Sequence, residues 1–335
     1  MSNTPTGYLT AEELSIQNHI CVLPCGDLSE VDTIDWSKED LEYYQYYFID
    51  GKPVDTMFRA FIFNPIQMRK DYYIQVMHSG IGKPARNNDW QLAIDHLFKE
   101  NVNLSALAQN TRVGDKTDIW VTIPYPNPLQ ENFGVVLGNK LDFTNETDQI
   151  KAIQWWIDSF IMRWEKETHL HDALSFKGFV WQRSSINASD ENLVKETNDY
   201  IHNRGFLALW LFTYGSSGCV EWSDFKFDAA CANPNYYGNT NIDINWIKNS
   251  TAFASHYHTG MQIIYGKGKL FNDTHIYDYL NLGISHGYMN NSLVVFQFPS
   301  QTMKMILNND LVAYIQIYSF IKKTYQHYPY TGISY

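Results

Sequence analysis

Short apolar runs rich in β-branched and aromatic residues recur along the chain, and each is followed by a longer segment with helical spacing. Eight runs read as strands: His19–Cys25, Met57–Phe63, Asp118–Ile123, Phe176–Trp181, Leu207–Phe212, Phe227–Ala232, Met261–Tyr265 and Leu293–Phe298. Most are continuously apolar, the pattern of strands buried on both faces. Between them the period lengthens. Thr147–Lys166 places Ile150, Ile153, Ile157, Phe160, Ile161 and Trp164 on one helical stripe. Ser189-Asp190-Glu191 opens the next helix and Asn203-Arg204-Gly205 closes it. Asn241–His256, Thr274–Ile284 and Leu311–Tyr325 also read as helices, as does the region from Trp90 to Asn110. The first crossover is irregular and holds Tyr43, Tyr44, Tyr46, Tyr47 and Phe48.

Eight strands alternating with helices predict an α/β fold, a single (β/α)8 TIM barrel. A doubly wound open sheet is the competing architecture. It carries a glycine-rich turn after its first strand, whereas this chain has Pro24-Cys25-Gly26-Asp27 there. With no internal repeat and no low-complexity linker, one domain is expected. Residues 1–17 form an N-terminal extension, 18–326 the barrel and 327–335 a tail.

Composition narrows the partners. The 335 residues are 44% hydrophobic and 18% charged, which specifies a folded chain. A net charge of −11 argues against nucleic acid and against an anionic membrane surface. No apolar run is long enough for a membrane span. The start, Met1-Ser2-Asn3-Thr4-Pro5-Thr6, is polar, so the protein is cytosolic or its signal has been removed. Cys21, Cys25, Cys219 and Cys231 lack zinc-ligand spacing and read as buried thiols, with a disulfide left open. His256 and His258 lie two apart before the seventh strand, on the wrong side for a site, and neither a metal nor a cofactor is expected.

In such a barrel, function sits at the C-terminal ends of the strands. Those ends supply Tyr125 and Asn127, then Trp181, Gln182, Arg183 and Ser184, then Tyr214 and Trp222. Asn233, Asn235 and Tyr236 follow, and after them Gln262 and Tyr265. Amides bond hydroxyls in both directions and flat aromatics cover apolar C–H faces, so a carbohydrate suits this lining. Trp181, Tyr125 and Trp222 are candidate stacking platforms, and Gln182, Asn235 and Gln262 candidate orienting amides. Arg183 suits a uronic acid or sulfate, with a structural salt bridge as its other reading.

The motifs Thr122-Ile123-Pro124-Tyr125-Pro126, Gly178-Phe179-Val180-Trp181, Trp210-Leu211-Phe212-Thr213-Tyr214, Phe227-Asp228 with Asn233-Pro234-Asn235-Tyr236, and Gly260-Met261 carry a resemblance in order and spacing. Over about Asn18 to Lys323 the chain resembles a bacterial family, domain of unknown function 4855 (DUF4855). The resemblance implies a glycoside-hydrolase-like barrel and an exported protein, periplasmic or on the cell surface. A cytoplasmic location is the other reading. The chain departs from the family where chemistry is expected. The Glu that follows the Gly-Phe-aromatic-Trp strand is replaced by Ser184, and a Gly-x-Glu-x-Glu strand has Gln262 and Ile264 instead.

Glycosidases of this kind use two carboxyl groups, about 5–5.5 Å apart when retaining and about 6.5–9.5 Å when inverting. The rim acids of this chain are Asp27, Glu221, Asp224 and Asp273, with Asp228 expected at the opposite end. Three readings follow. The first is a glycan-recognising barrel that lacks the usual acid pair and is catalytically degenerate. The second is an active hydrolase using Asp27 or Glu221. The third is a vestigial barrel with a structural or assembly role.

Overall fold

The computed structural model describes residues 7–26, 35–74, 82–181, 183–236, 244–266, 275–299 and 301–329. Asp27, Gln182, Lys267 and Asp273 lie outside the described residues. Eight parallel strands form the barrel: β1 (Ile20–Gly26), β2 (Ala60–Arg69), β3 (Thr117–Thr122), β4 (Leu174–Trp181), β5 (Leu207–Thr213), β6 (Ala229–Asn233), β7 (Gly260–Ile264) and β8 (Val294–Gln297). The sheet closes because β1 pairs on both sides: Ile20 lies opposite Ala60 of β2 and Val295 of β8. The (β/α)8 barrel expected from the sequence is therefore the fold, with strand ends shifted by a few residues. The largest shift is in β2, which runs on to Arg69 and pairs there with Tyr72–Tyr73.

Alternation along each strand sorts side chains between two cores. Ile20, Val22, Ile62, Val180, Leu209 and Leu211 fill the barrel interior around Trp120. Phe61, Phe63, Phe179, Trp181, Trp210 and Phe296 face the helices. Trp120 thus fills the barrel, and Trp181 packs in the helix layer. Gly178 sits where β3 and β4 change register, and a Cβ on it would lie 1.9 Å from the Leu207 carbonyl oxygen. No side chain fits there, which explains the glycine that opens the Gly-Phe-Val-Trp strand.

The helices are α1 (Lys38–Gln45), α2 (Asn87–Leu97), α3 (Asn103–Asn110), α4 (Glu146–Lys166), α5 (Glu191–Asn203), α6 (Asn245–His256), α7 (His275–Ser285), α8 (Tyr288–Asn291), α9 (Met303–Asn309) and α10 (Leu311–Ile321). The helical region from Trp90 to Asn110 is two helices, broken where Asn101 and Asn103 adopt φ of 65° and 49°. The irregular first crossover is α1 followed by a hairpin of Tyr46–Ile49 and Lys52–Thr56. Its aromatics pin it to α10, where Tyr47 stacks on Tyr318 at 3.7 Å and on Tyr314 at 5.3 Å. Between β5 and β6 the only helical turn is a 3-10 turn, Cys219–Glu221.

The N-terminal segment closes the bottom of the barrel. Leu9 and Ala11 join the interior core, and the Leu9 carbonyl accepts from the Leu293 N–H at 2.7 Å. His258 Nε2 meets Glu13 at 2.9 Å, so this histidine belongs to the bottom closure. The four cysteines are free and buried, and no described helix is long and apolar enough to cross a membrane.

His19 immediately precedes β1 with φ of 60° and packs against Phe296 and Phe320. Burial, reinforced by Lys323 and Lys322, pushes its imidazole pKa down to about 3. The folded protein keeps His19 neutral, whereas the unfolded chain takes up a proton below its ordinary pKa of about 6.5. Above that pH the group has no effect. As pH falls from there toward the folded value, stability drops by up to about 1.4 kcal/mol per unit. His19→Asn tolerates the left-handed backbone and removes this contribution. Urea unfolding at pH 7 and pH 5 is expected to show a loss smaller by about 2 kcal/mol in the variant than in the wild type. An equal loss in both proteins would refute the assignment.

Candidate functional site

Several inward-facing positions in the C-terminal half of the barrel are polar and uncharged, with Ile264 and Pro24 as apolar members of the same row. Asn64 of β2 lies beside Thr122 of β3, whose Oγ1 donates to Asn64 Oδ1 at 2.9 Å. Asn233 ends β6, and its Oδ1 accepts from the Asn235 N–H at 2.7 Å. Gln262 lies deeper and is fully buried. Its Nε2 donates to the Cys231 and Phe212 carbonyls at 2.5 and 3.2 Å, and its Oε1 accepts from Gln297 Nε2 at 2.6 Å. The Gln262 side chain therefore staples strands from the inside. Among the described strand residues, no carboxylate faces the axis in this half.

The acids of the mouth lie behind this layer, and tyrosines hold them. After β3, Tyr125 turns outward, meets Trp181 edge-on at 6.0 Å and donates its hydroxyl to Asp190 Oδ1 at 3.2 Å. The Arg183 guanidinium lies 4.3 Å over the Tyr125 ring, with its Nε 3.6 Å from Asp190 Oδ2. Arg183 thus makes the structural ion pair that was one of its two readings. Its side chain remains about a third exposed, whereas that of Asp190 is buried. Burial, opposed by Arg183 and assisted by Asp190, pushes the Tyr125 phenol up, so it stays a donor. The arrangement recurs across the mouth. Tyr236 donates to buried Asp278 of α7 at 2.6 Å, and Tyr265 donates to Asp310 at 3.3 Å. Burial, then Asp310, pushes the Tyr265 phenol up as well.

The remaining predicted residues divide. Asn127 is partly exposed, and its Oδ1 accepts from the Leu129 N–H at 3.0 Å, forming a turn. Tyr214 is partly exposed at the mouth and meets Trp246 of α6 edge-on at 5.3 Å. Trp222 is not a rim residue: its Nε1 donates to the Tyr257 carbonyl at 2.8 Å, beyond the C-terminus of α6 and toward the bottom of the barrel. Glu221 is exposed on the 3-10 turn between β5 and β6. Asp228 lies at the bottom as expected, accepting from His202 Nε2 and from the Ala208 N–H.

Asp190, Asp278, Asp310 and Trp246 were missed as site residues. Asp190 was legible as the opening of a helix, and Asp278 as an acid inside an otherwise apolar helix. Neither signal says which tyrosine would reach it. Among the described residues no three His, Cys, Asp or Glu side chains are grouped to hold a metal. A cavity of about 690 Å³ lies between α2, α3 and the end of α4, with Met68 of β2 also in its lining. Several of its ionic groups are already matched, Lys99 and His96 with Asp35 and Arg163 with Glu167.

A family model described as domain of unknown function (DUF4855) matches residues 25–323. No curated protein matches the chain. Two mutant forms of the tryptophan synthase alpha-subunit from Pyrococcus furiosus are similar to it in structure. Each is 10% identical over 92% of this chain and 97% of that chain, with TM-scores of 0.41 and 0.42.

The Gln262 geometry defines what a carboxylate would meet there. Gln262→Glu would turn a donor into an acceptor facing two main-chain carbonyls, in a site closed to water. The substitution is expected to cost about 3 kcal/mol or more at neutral pH. The buried glutamate pKa would be raised above its unfolded value of about 4.3, so the loss should shrink as pH falls toward that value and the acid protonates. Chemical denaturation of the variant at pH 7 and pH 4.5 checks both expectations, and a neutral-pH stability equal to wild type would refute them.

Proposed function

This chain belongs to the DUF4855 family, and on that footing we propose that its barrel mouth recognises a carbohydrate without hydrolysing it by a two-carboxylate mechanism. One observation carries the reading: amides and hydroxyls line the axis, while the described mouth acids Asp190, Asp278 and Asp310 are turned away and held by tyrosines. Groups that donate and accept without titrating suit hydroxyl-rich ligands.

Direct contact falls to the partly exposed members of the rim, Asn127, Arg183, Tyr214, Asn233 and Asn235. Tyr125, Trp181, Tyr236, Gln262 and Tyr265 are buried behind them, and Tyr125 supports the Arg183 guanidinium. Arg183 is oriented by an aromatic face below and a carboxylate beside it, and its fork is suited to a sugar oxygen or a uronate.

A glycan array followed by calorimetry tests the reading. A carbohydrate ligand is expected, with Arg183→Met binding about tenfold more weakly or worse. Incubation with the same glycan is expected to release no reducing ends. Reducing-end release that disappears in Asp190→Asn or Glu221→Gln would overturn the non-hydrolytic reading, and an array with no ligand would favour a structural role.

A further inference from the structure

The flank of α6 exposes aromatics where a barrel helix is missing. The crossover from β5 to β6 contains only the 3-10 turn Cys219–Glu221, so the side of α6 that faces it lacks the cover of a neighbouring α-helix. Trp246, Phe253 and Tyr257 occur at i, i+7 and i+11, a spacing that aligns them along one flank. Tyr214 sits at the upper end, edge-on to Trp246 at 5.3 Å and to Phe253 at 5.6 Å. Tyr257 packs on Phe253 at 4.5 Å, and its carbonyl is fixed by Trp222 Nε1. Trp246 and Tyr257 remain 40% and 36% exposed. Eleven residues of helix place the two exposed rings about 16 Å apart along the helix axis.

We propose that this strip is a second carbohydrate-contact surface that continues from the mouth, and that the ligand is accordingly a polymer rather than a mono- or disaccharide. The inference rests on the reading of the mouth as a carbohydrate site. Two features identify the occupant. The strip is continuous with the rim, because Tyr214 belongs to both. On α6 its chemistry is aromatic and nearly neutral: within Asn245–His256 the side chains are amide, hydroxyl, apolar or imidazole apart from one lysine, Lys248, and the 3-10 turn of the β5–β6 crossover adds one exposed acid, Glu221. Aromatic faces flanked by uncharged polar groups match the C–H faces and hydroxyls of neutral sugars. A protein partner of this acidic chain would instead find few charges to complement.

Native affinity gels containing hydroxyethylcellulose, mixed-linkage glucan, xylan or galactomannan test the proposal. Retardation of the wild type in at least one gel is expected. Trp246→Ala and Tyr257→Ala should each weaken affinity for that polymer about three- to tenfold. Trp246→Phe, which keeps a flat ring, should retain most of it. A trisaccharide cut from the same polymer should bind wild type and Trp246→Ala equally, because it fills only the mouth. Variants that melt like the wild type and are retarded like it would overturn the proposal, as would a wild type retarded in no gel. If the trisaccharide fails to bind while polymer retardation still depends on Trp246, the mouth reading falls and the strip stands.

Discussion

Closure of the barrel fixes which way every side chain at the mouth points. β1 is paired on both edges, with β2 and with β8. A shift of any strand by one residue would turn its whole set of side chains inside out, so closure locks the register all the way round. The consequences are specific. Ile62 and Leu211 must be apolar because they meet Trp120 and its neighbours inside the barrel. Asn64, Asn233 and Gln262 occupy the same inward row toward the other end. Trp181, Tyr125 and Tyr265 fall in the opposite row and join the helix layer, whatever their chemical suitability for a ligand.

The same alternation explains the tyrosine–aspartate pairs. Each begins at a tyrosine beyond one strand and ends on an acid carried by the next β–α unit. Tyr125 after β3 reaches Asp190 at the start of α5, Tyr236 after β6 reaches Asp278 of α7, and Tyr265 after β7 reaches Asp310 before α10. A hydrogen bond to a charged group contributes about 1.5–3 kcal/mol, and leaving either partner unmatched after burial costs more. The clasps therefore join neighbouring units in register around the mouth. A carboxylate held this way is tied to a tyrosine in the helix layer and turned from the axis, so it is poorly placed to exchange a proton with a group there. The mouth thus contains acids without offering them to a ligand on the axis.

The fold was legible in the sequence because buried parallel strands announce themselves locally: Leu207–Phe212 and Met261–Tyr265 needed only their apolar runs and the helices between. The placement of the candidate residues was legible only in part. Arg183, Tyr214, Asn233 and Asn235 could be placed at the rim because their positions follow directly from strand ends. Trp222 could not, since it lies nine residues beyond β5 in a crossover that lacks the usual helix, and the chain there runs down the outside of the barrel. Asp190 and Asp278 were visible as residues but not as partners, because the tyrosines that bind them are 65 and 42 residues away. Pairing across such separations is set by barrel register, which no local pattern encodes. The Trp246 surface depends on the same missing helix, an absence that sequence periodicity marks only weakly.

The amide at position 262 has its own physical logic. β6 and β7 are joined by two register pairs, Cys231 with Gly260 and Ala232 with Met261, fewer than any other described seam of the barrel. Gln262 reinforces that seam from the inside, donating to the Cys231 and Phe212 carbonyls and accepting from Gln297 of β8. An amide is suited to this role because it offers a donor and an acceptor on one planar group. A glutamate of the same length would present only acceptors when ionised, would lose both donor contacts and would bury an uncompensated charge. In this chain, reinforcement of the seam and carboxylate chemistry therefore compete for one side chain, and the position serves the seam. That geometry gives a structural reason for an amide at position 262, independent of any ligand.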